Sequence, residues 1–99
     1  MEKKLKTAEQ MERHFKGVAN HYRIDILLLI SEERGITVEA IASQLSANFK
    51  TISQHTRYLV QTGLIQKKYR GRVVEHMLSP YGEIFVNFIK EFQRIGVSR

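Results

Sequence analysis

The feature that most constrains the fold is a change in hydrophobic periodicity at Gly63. Before it, apolar residues recur at helical spacing. After it come two runs of strand length, residues 65–69 and 73–78, and the second alternates apolar and polar positions. Residues 70–72, with a central glycine, suit a tight hairpin turn between them. Ser79-Pro80 is typical of a helix start, which predicts a last helix to about residue 95.

Four further helices are predicted before Gly63. The first contains a run of helix-forming residues, and Asn20, Thr37 and Asn48 can cap the N-termini of the other three. The six glycines, at positions 17, 35, 63, 71, 82 and 96, are expected to separate short elements. The third and fourth helices, joined by a short break, form a helix-turn-helix pattern. The predicted fold is mainly α with a small β-hairpin, a winged helix-turn-helix (α-α-α-α-β-β-α) in one domain over residues 1–99. The four helices are predicted at residues 7–16, 21–33, 38–45 and 49–61.

The net charge of +6 is concentrated in one stretch, residues 40–74, which has six basic residues and no acidic one. The rest of the chain carries ten of each sign. Such segregation is expected of a surface that binds a polyanion, although a solvated basic face without a partner would have the same composition. The six residues are Lys50, Arg57, Lys67, Lys68, Arg70 and Arg72.

Composition excludes several other classes. With no cysteine, the chain has no disulfide, no thiolate metal site and no thiol redox switch. It has no apolar run that could span a membrane, and its first ten residues lack the apolar core of a signal peptide, so we expect an intracellular protein with no membrane partner. No Gly-rich phosphate loop or nucleophile elbow is present, so neither enzymatic activity nor a cofactor is expected.

The sequence contains an ordered set of short motifs: residues 15–23 with Arg23, Ile52-Ser53-Gln54-His55, Leu59, Gly63-Leu64-Ile65, Gly71 and Leu78-Ser79-Pro80. Together these motifs resemble the ArsR-type (arsenic-repressor-like) family of winged-helix transcription regulators. The resemblance implies a dimeric, prokaryotic, cytoplasmic DNA-binding protein, usually a repressor that occupies a promoter. In the fourth helix, Thr56 and Tyr58 replace an apolar Leu and a small residue, and His76 stands where the wing usually carries Tyr.

A helix-turn-helix places the N-terminal part of its second helix in the major groove. Gln54 is expected to pair with adenine, whereas Lys50 and Arg57 are expected to bind phosphates. A basic hairpin tip suits phosphates or the minor groove, although lysines also protect an exposed strand edge from aggregation. The predicted centre of the site is Lys50, Ser53, Gln54 and His55. The whole predicted DNA site is Asn48, Lys50, Thr51, Ser53, Gln54, His55, Arg57, Lys67, Lys68, Arg70 and Arg72.

The last helix has more apolar surface than a short domain is expected to cover, since phenylalanines recur at positions 85, 88 and 92. Packing on the domain's own core is one interpretation. The other is a twofold homodimer through the helices within residues 1–17 and 80–96, which the resemblance also implies. Such a dimer would bind a palindromic operator. The predicted interface residues are Phe15, Tyr81, Ile84, Phe85, Phe88, Ile89 and Phe92.

Metal sensing, which is frequent in the family, is not expected here. Thr37 and Glu39 occupy the positions of the family's cysteine pair, and residues 81–99 contain no Asp or His for the other frequent site. The predicted partners are therefore double-stranded DNA and a second copy of the chain, with the effector unknown. The alternative is a winged-helix protein-interaction module without sequence-specific DNA binding, because a fold does not fix a function.

Overall fold

The computed structural model describes residues 4–95, and it confirms the predicted order of elements. Residues 1–3 and 96 of the segments expected to dimerise lie outside the described residues. No helix within residues 4–95 combines the length and the apolar character needed to cross a bilayer. The elements are α1 (Ala8–Val18), α2 (His21–Glu32), α3 (Val38–Gln44), α4 (Phe49–Gln61), β1 (Ile65–Arg70), β2 (Val73–Leu78) and α5 (Pro80–Ile95).

Polar side chains start the helices by accepting hydrogen bonds from free backbone N–H groups. The predicted caps Asn20, Thr37 and Asn48 precede α2, α3 and α4 and accept such bonds. Thr7 caps α1 rather than lying within it, and it forms a capping box with Gln10. Before α5, the Ser79 hydroxyl oxygen accepts from the Gly82 N–H at 3.0 Å.

The two helices of the helix-turn-helix, α3 and α4, end in turns of the same kind. After α4, Gly63 has φ +78°, its N–H donates to the Val60 carbonyl, and the Leu64 N–H donates to the Leu59 carbonyl. This is a Schellman motif, in which a left-handed residue satisfies the last carbonyls of a helix. The same bonding pattern follows α3, but the left-handed residue there is Ser46, at φ 51°. A side chain in that conformation carries strain that glycine avoids.

The hydrophobic core is centred on α2, whose Ile26, Leu27 and Ile30 are fully buried. Helices α3 and α4 cover one side of it, while α5 contributes Val86 and Ile89. Ile89, one of the predicted interface residues, is 8% exposed, so little of its surface is left for a partner, and its place in the interface stays a prediction. The remaining buried apolar residues are Ile36, Ile41, Ala42, Ile52, Leu59, Leu64 and Ile65.

Two glycines expected to separate elements lie inside helices. Gly17 is buried in α1, and a Cβ atom there would overlap the Thr62 side chain. Gly82 lies in the first turn of α5, where a Cβ would overlap the Leu64 carbonyl oxygen. Both glycines therefore lie within terminal turns of helices at points of close packing, rather than between elements.

The wing is an antiparallel hairpin in which Lys67 lies directly opposite His76. Both side chains therefore share one face of the hairpin. An additional bridge joins His76 to Ile36 in the loop before α3, where the Gly35 N–H donates to the His76 carbonyl. The base of the wing is thus attached to the helix-turn-helix, which was not expected from the sequence.

Candidate nucleic-acid interface

The first half of α4 presents polar side chains outward. Lys50, Gln54 and Arg57 are exposed, and Thr51 is half-buried. The Asn48 side-chain oxygen accepts from the Thr51 N–H at 3.1 Å, so this oxygen is already used in capping the helix. The structure thus leaves the long side chains of this predicted site free to reach a groove.

The opposite face of α4 carries Ile52, Thr56 and Leu59, which are at most 1% exposed. Their spacing of three and four residues follows one side of a helix. The Thr56 hydroxyl oxygen is buried and has no hydrogen-bond partner among residues 4–95. The departure from the family pattern at position 56 therefore places an unsatisfied polar group in the core.

His55 lies on the side of α4 that faces α2. The Arg23 guanidinium donates to its Nδ1 at 3.0 Å, and its ring stacks on Tyr22 with centroids 5.3 Å apart. Burial first, and then the charges of Arg23 and His21, lower the pKa of His55. Nδ1 of His55 is thus already hydrogen-bonded to a residue of α2. A base contact by His55 stays a prediction.

Arg23 connects three helices. Its Nε donates to the Gly17 carbonyl of α1 at 2.8 Å, and its guanidinium lies 4.5 Å from the ring centroid of Tyr58 in α4. The family's common arginine, which the resemblance places at this position, therefore orients α4. Tyr58, the other departure in this helix, supplies the aromatic face on which Arg23 rests.

The four basic residues of the wing are exposed, but one of them has a carboxylate partner. Arg70 Nε lies 3.3 Å from an oxygen of Glu75. Glu75 is the first residue after the acid-free stretch, so a count of charges within residues 40–74 did not include it. Among residues 4–95, no carboxylate lies within 4.0 Å of the charged nitrogens of the other five basic residues: Lys50, Arg57, Lys67, Lys68 and Arg72.

A cleft of about 340 Å³, hereafter the wing cleft, separates α4 from the hairpin. Ser53, Thr56 and Arg57 line it from α4, while Lys67, Arg72 and His76 line it from the hairpin. The cleft thus brings the predicted helix and wing residues to one place. Its one carboxylate-bearing lining residue in the described part of the chain is Glu39, from the start of α3.

His76 reaches the wing cleft from the base of the hairpin and is 1% exposed. Its Nδ1 lies 2.9 Å from the Ile36 carbonyl oxygen. Because a carbonyl only accepts, Nδ1 carries the proton and Nε2 of the neutral ring is an acceptor. That Nε2 is buried without a partner among residues 4–95. Strand alternation could have indicated the inward direction of His76, but not its unpaired nitrogen.

A second surface, the α1–α5 face, consists of Met11 and Phe15 of α1 with Ile84, Phe88 and Phe92 of α5. Phe88 is 61% exposed and Phe92 is 67% exposed. Of the other predicted interface residues, Tyr81 is exposed, whereas Phe85 is half-buried under the edge of the Phe15 ring. Exposed apolar groups of this size are typical of an interaction surface.

Within residues 4–95, no three His, Asp or Glu side chains come together in a group that could hold a metal ion. His14 is hydrogen-bonded to the carbonyl of Thr62, and His76 is hydrogen-bonded to the carbonyl of Ile36. The absence of metal sensing stays a prediction.

Comparisons with known proteins point in one direction. The chain is 33% identical over 67 residues to the arsenical resistance operon repressor of Escherichia coli K12, a match that covers 68% of this chain and 57% of that repressor. It is similar in structure to HlyU from Vibrio cholerae, with a TM-score of 0.79, 21% identity and coverage of 90% and 97% of the two chains.

It is also similar to the homodimeric winged helix-turn-helix DNA-binding domain of Mb0332 from Mycobacterium bovis, a possible ArsR-family transcriptional regulator. That comparison has a TM-score of 0.73, 28% identity and coverage of 88% of this chain and 78% of the other. No protein-family model matches the chain.

Proposed function

Because the chain belongs to the ArsR-type family of winged helix-turn-helix regulators, we propose that it is a sequence-specific double-stranded DNA-binding transcriptional regulator. It acts as a repressor by occupying a promoter, and it binds a palindromic operator as a homodimer in the cytoplasm. It is not an enzyme. The observation that carries the proposal is the wing cleft, which joins the exposed side of α4 to the basic wing.

The basic residues supply affinity in this proposal. Lys50 and Arg57 on α4, and Lys67, Lys68 and Arg72 on the wing, bind phosphates and release counterions. Arg70 contributes less, because its ion pair with Glu75 has to open before it can bind a phosphate. These contacts position the protein and carry no sequence information themselves.

Sequence preference comes from α4. Gln54 is exposed and has the donor and acceptor needed to pair with the N6 and N7 edge of adenine. Thr51 and Ser53 donate to bases or phosphates, and the Asn48 side-chain amide is available to a phosphate while its oxygen caps α4. We assign His55 primarily to the orientation of α4, through Arg23 and Tyr22.

The α1–α5 face is proposed as the homodimer interface. The structurally similar domain from Mycobacterium bovis is homodimeric, and a dimer of this chain would bury the exposed phenylalanines of α5. Phe15, Tyr81, Ile84, Phe88 and Phe92 would then be buried between two copies, with Phe85 beneath them. Twofold symmetry would set two α4 helices against half-sites about 34–36 Å apart.

The proposal is tested by fluorescence anisotropy with a labelled random duplex over a range of salt concentrations. Lys50→Ala and Arg72→Ala should each weaken binding to every duplex and reduce the logarithmic salt slope by about one unit. Lys16→Ala is the control, because Lys16 lies on α1 and pairs with Glu12 at 3.3 Å. Absence of duplex binding at low salt would instead favour the protein-interaction module.

A further inference from the structure

Two residues that line the wing cleft each carry a buried polar atom that no described residue satisfies, the hydroxyl oxygen of Thr56 and Nε2 of His76. Both residues are 1% exposed. A buried polar group without a partner is costly, and native proteins contain few of them. Two such atoms on residues that line one cleft indicate a site whose hydrogen bonds are completed by a bound molecule.

The chemistry of the two atoms defines what they can bind. His76 Nε2 accepts, because Nδ1 carries the ring proton. The Thr56 hydroxyl can donate. A ligand hydroxyl satisfies both, since it donates to His76 and accepts from Thr56.

The charged residues of the cleft define the other end of the ligand. Arg57, Lys67 and Arg72 line the cleft, against the carboxylate of Glu39 as the one acidic lining residue within residues 4–95. This excess of positive charge favours an anion, and guanidinium groups match the geometry of carboxylate and phosphate oxygens. The volume of about 340 Å³ lies within the range of small-molecule sites and exceeds the space of one water.

We propose that the wing cleft binds a small hydroxylated anion, a hydroxycarboxylate or a phosphorylated hydroxy compound. Its hydroxyl is bound by Thr56 and His76, and its anionic group is bound by Arg57, Lys67 and Arg72. A DNA phosphate cannot satisfy the two buried atoms, because it has no hydroxyl to donate to His76. The ligand uses the same cations as the DNA phosphates, so it lowers the affinity for duplex DNA. This last consequence rests on the proposed function, whereas ligand binding itself does not.

The test titrates the DNA-free protein with glycerol 1-phosphate, D-glycerate and inorganic sulfate at constant ionic strength; sulfate has no hydroxyl to donate. Binding is followed through the ¹⁵N resonance of His76 Nε2, which reports directly on a new hydrogen bond. The two hydroxylated probes should shift this resonance, and glycerol 1-phosphate should bind more tightly than sulfate, an anion of equal charge, by about tenfold, the value of one hydrogen bond. Comparison of the two hydroxylated probes separates the phosphorylated from the carboxylate source.

Thr56→Val removes the hydroxyl with almost no change in shape. It should weaken the binding of both hydroxylated probes by about tenfold and leave the binding of inorganic sulfate unchanged. Ser43→Ala, a hydroxyl deletion on the exposed side of α3, should leave all three affinities unchanged. If Thr56→Val binds the hydroxylated probes as well as the unaltered protein, the proposal is overturned.

Two further outcomes also overturn it. An unmoved His76 resonance in all three titrations at millimolar concentration would mean a cleft filled by water only. Sulfate binding as tight as that of glycerol 1-phosphate would mean an anion site without the hydroxyl contact. A final titration on a DNA complex tests the competition separately, so a failure of duplex binding leaves the result for the ligand intact.

Discussion

Replacement of Thr56 by valine should make the free protein more stable. Thr56 is 1% exposed, and its hydroxyl has no partner among residues 4–95. Leaving such a group unpaired costs about 1–3 kcal/mol, and the methyl group that replaces it adds about 0.8 kcal/mol of apolar burial. The shape is nearly conserved, so the two contributions together predict a gain of about 2–4 kcal/mol in the free energy of unfolding.

Thr62 offers a matched control near the end of the same helix. It is equally a buried threonine, at 4% exposure, but its hydroxyl donates to the Tyr58 carbonyl at 3.0 Å. Thr62→Val therefore loses a hydrogen bond and should destabilise the protein by about 1 kcal/mol. The two substitutions remove the same atom, and the structure predicts opposite signs.

The assay is urea unfolding followed by circular dichroism at one fixed protein concentration, because stability of a dimer depends on concentration. Each kcal/mol should also move the melting temperature by roughly 4–8 °C for a chain of this size. If Thr56→Val destabilises the protein as much as Thr62→Val does, the Thr56 hydroxyl has a partner in the free protein. The account of the wing cleft as an unsatisfied site would then fail.

Four other predictions concern packing, helix ends, assembly and pH. Gly82→Ala should destabilise the protein by about 3 kcal/mol or more in urea unfolding, since its Cβ would overlap the backbone oxygen of Leu64; a loss below 1 kcal/mol would contradict this packing. Ser46→Gly should raise stability by about 1 kcal/mol in the same assay by relieving a left-handed side chain, and a loss would argue against the φ of 51°. Phe88→Glu should convert a dimer into a monomer in sedimentation equilibrium, whereas an unchanged mass would exclude the α1–α5 face as the interface. The lowered pKa of His55 means that the unfolded state binds more protons, so the free energy of unfolding should fall as pH drops below 6.5. His55→Gln should flatten that part of the stability profile measured by urea unfolding. An unchanged profile would contradict the lowered pKa of His55.

The sequence predicted the order and type of elements because local signals agreed with one another. Caps at Asn20, Thr37 and Asn48, the Gly63 turn and the Ser79-Pro80 start are short-range features, and the structure confirms each of them. The apolar face of α5 was also predicted. Which of its residues are buried in the chain's own core and which stay exposed was not predicted. Helical spacing alone does not reveal which apolar positions pack on the chain's own core, so it did not distinguish the buried Ile89 from the exposed Phe88.

Long-range contacts account for the rest. Nothing along the sequence connects Arg23 to His55, because this pair forms only when α2 and α4 pack. Arg70 and Glu75 lie in the same predicted hairpin, but a count limited to the acid-free stretch stopped one residue before Glu75. Gly17 gave a break signal, although its actual role is close packing against Thr62. The wing cleft likewise depends on the docking of the hairpin to α4, which a linear pattern does not encode.

Selection of bound sequences from a random duplex pool tests the central claim most directly. The account predicts enrichment of an imperfect palindrome whose half-sites are centred about 34–36 Å apart, with relaxed base preference for Gln54→Ala. If Gln54→Ala selects the unchanged operator, direct base recognition by Gln54 is wrong. If the unaltered protein enriches no sequence, or a motif without twofold symmetry, the proposal of a dimeric sequence-specific regulator is contradicted.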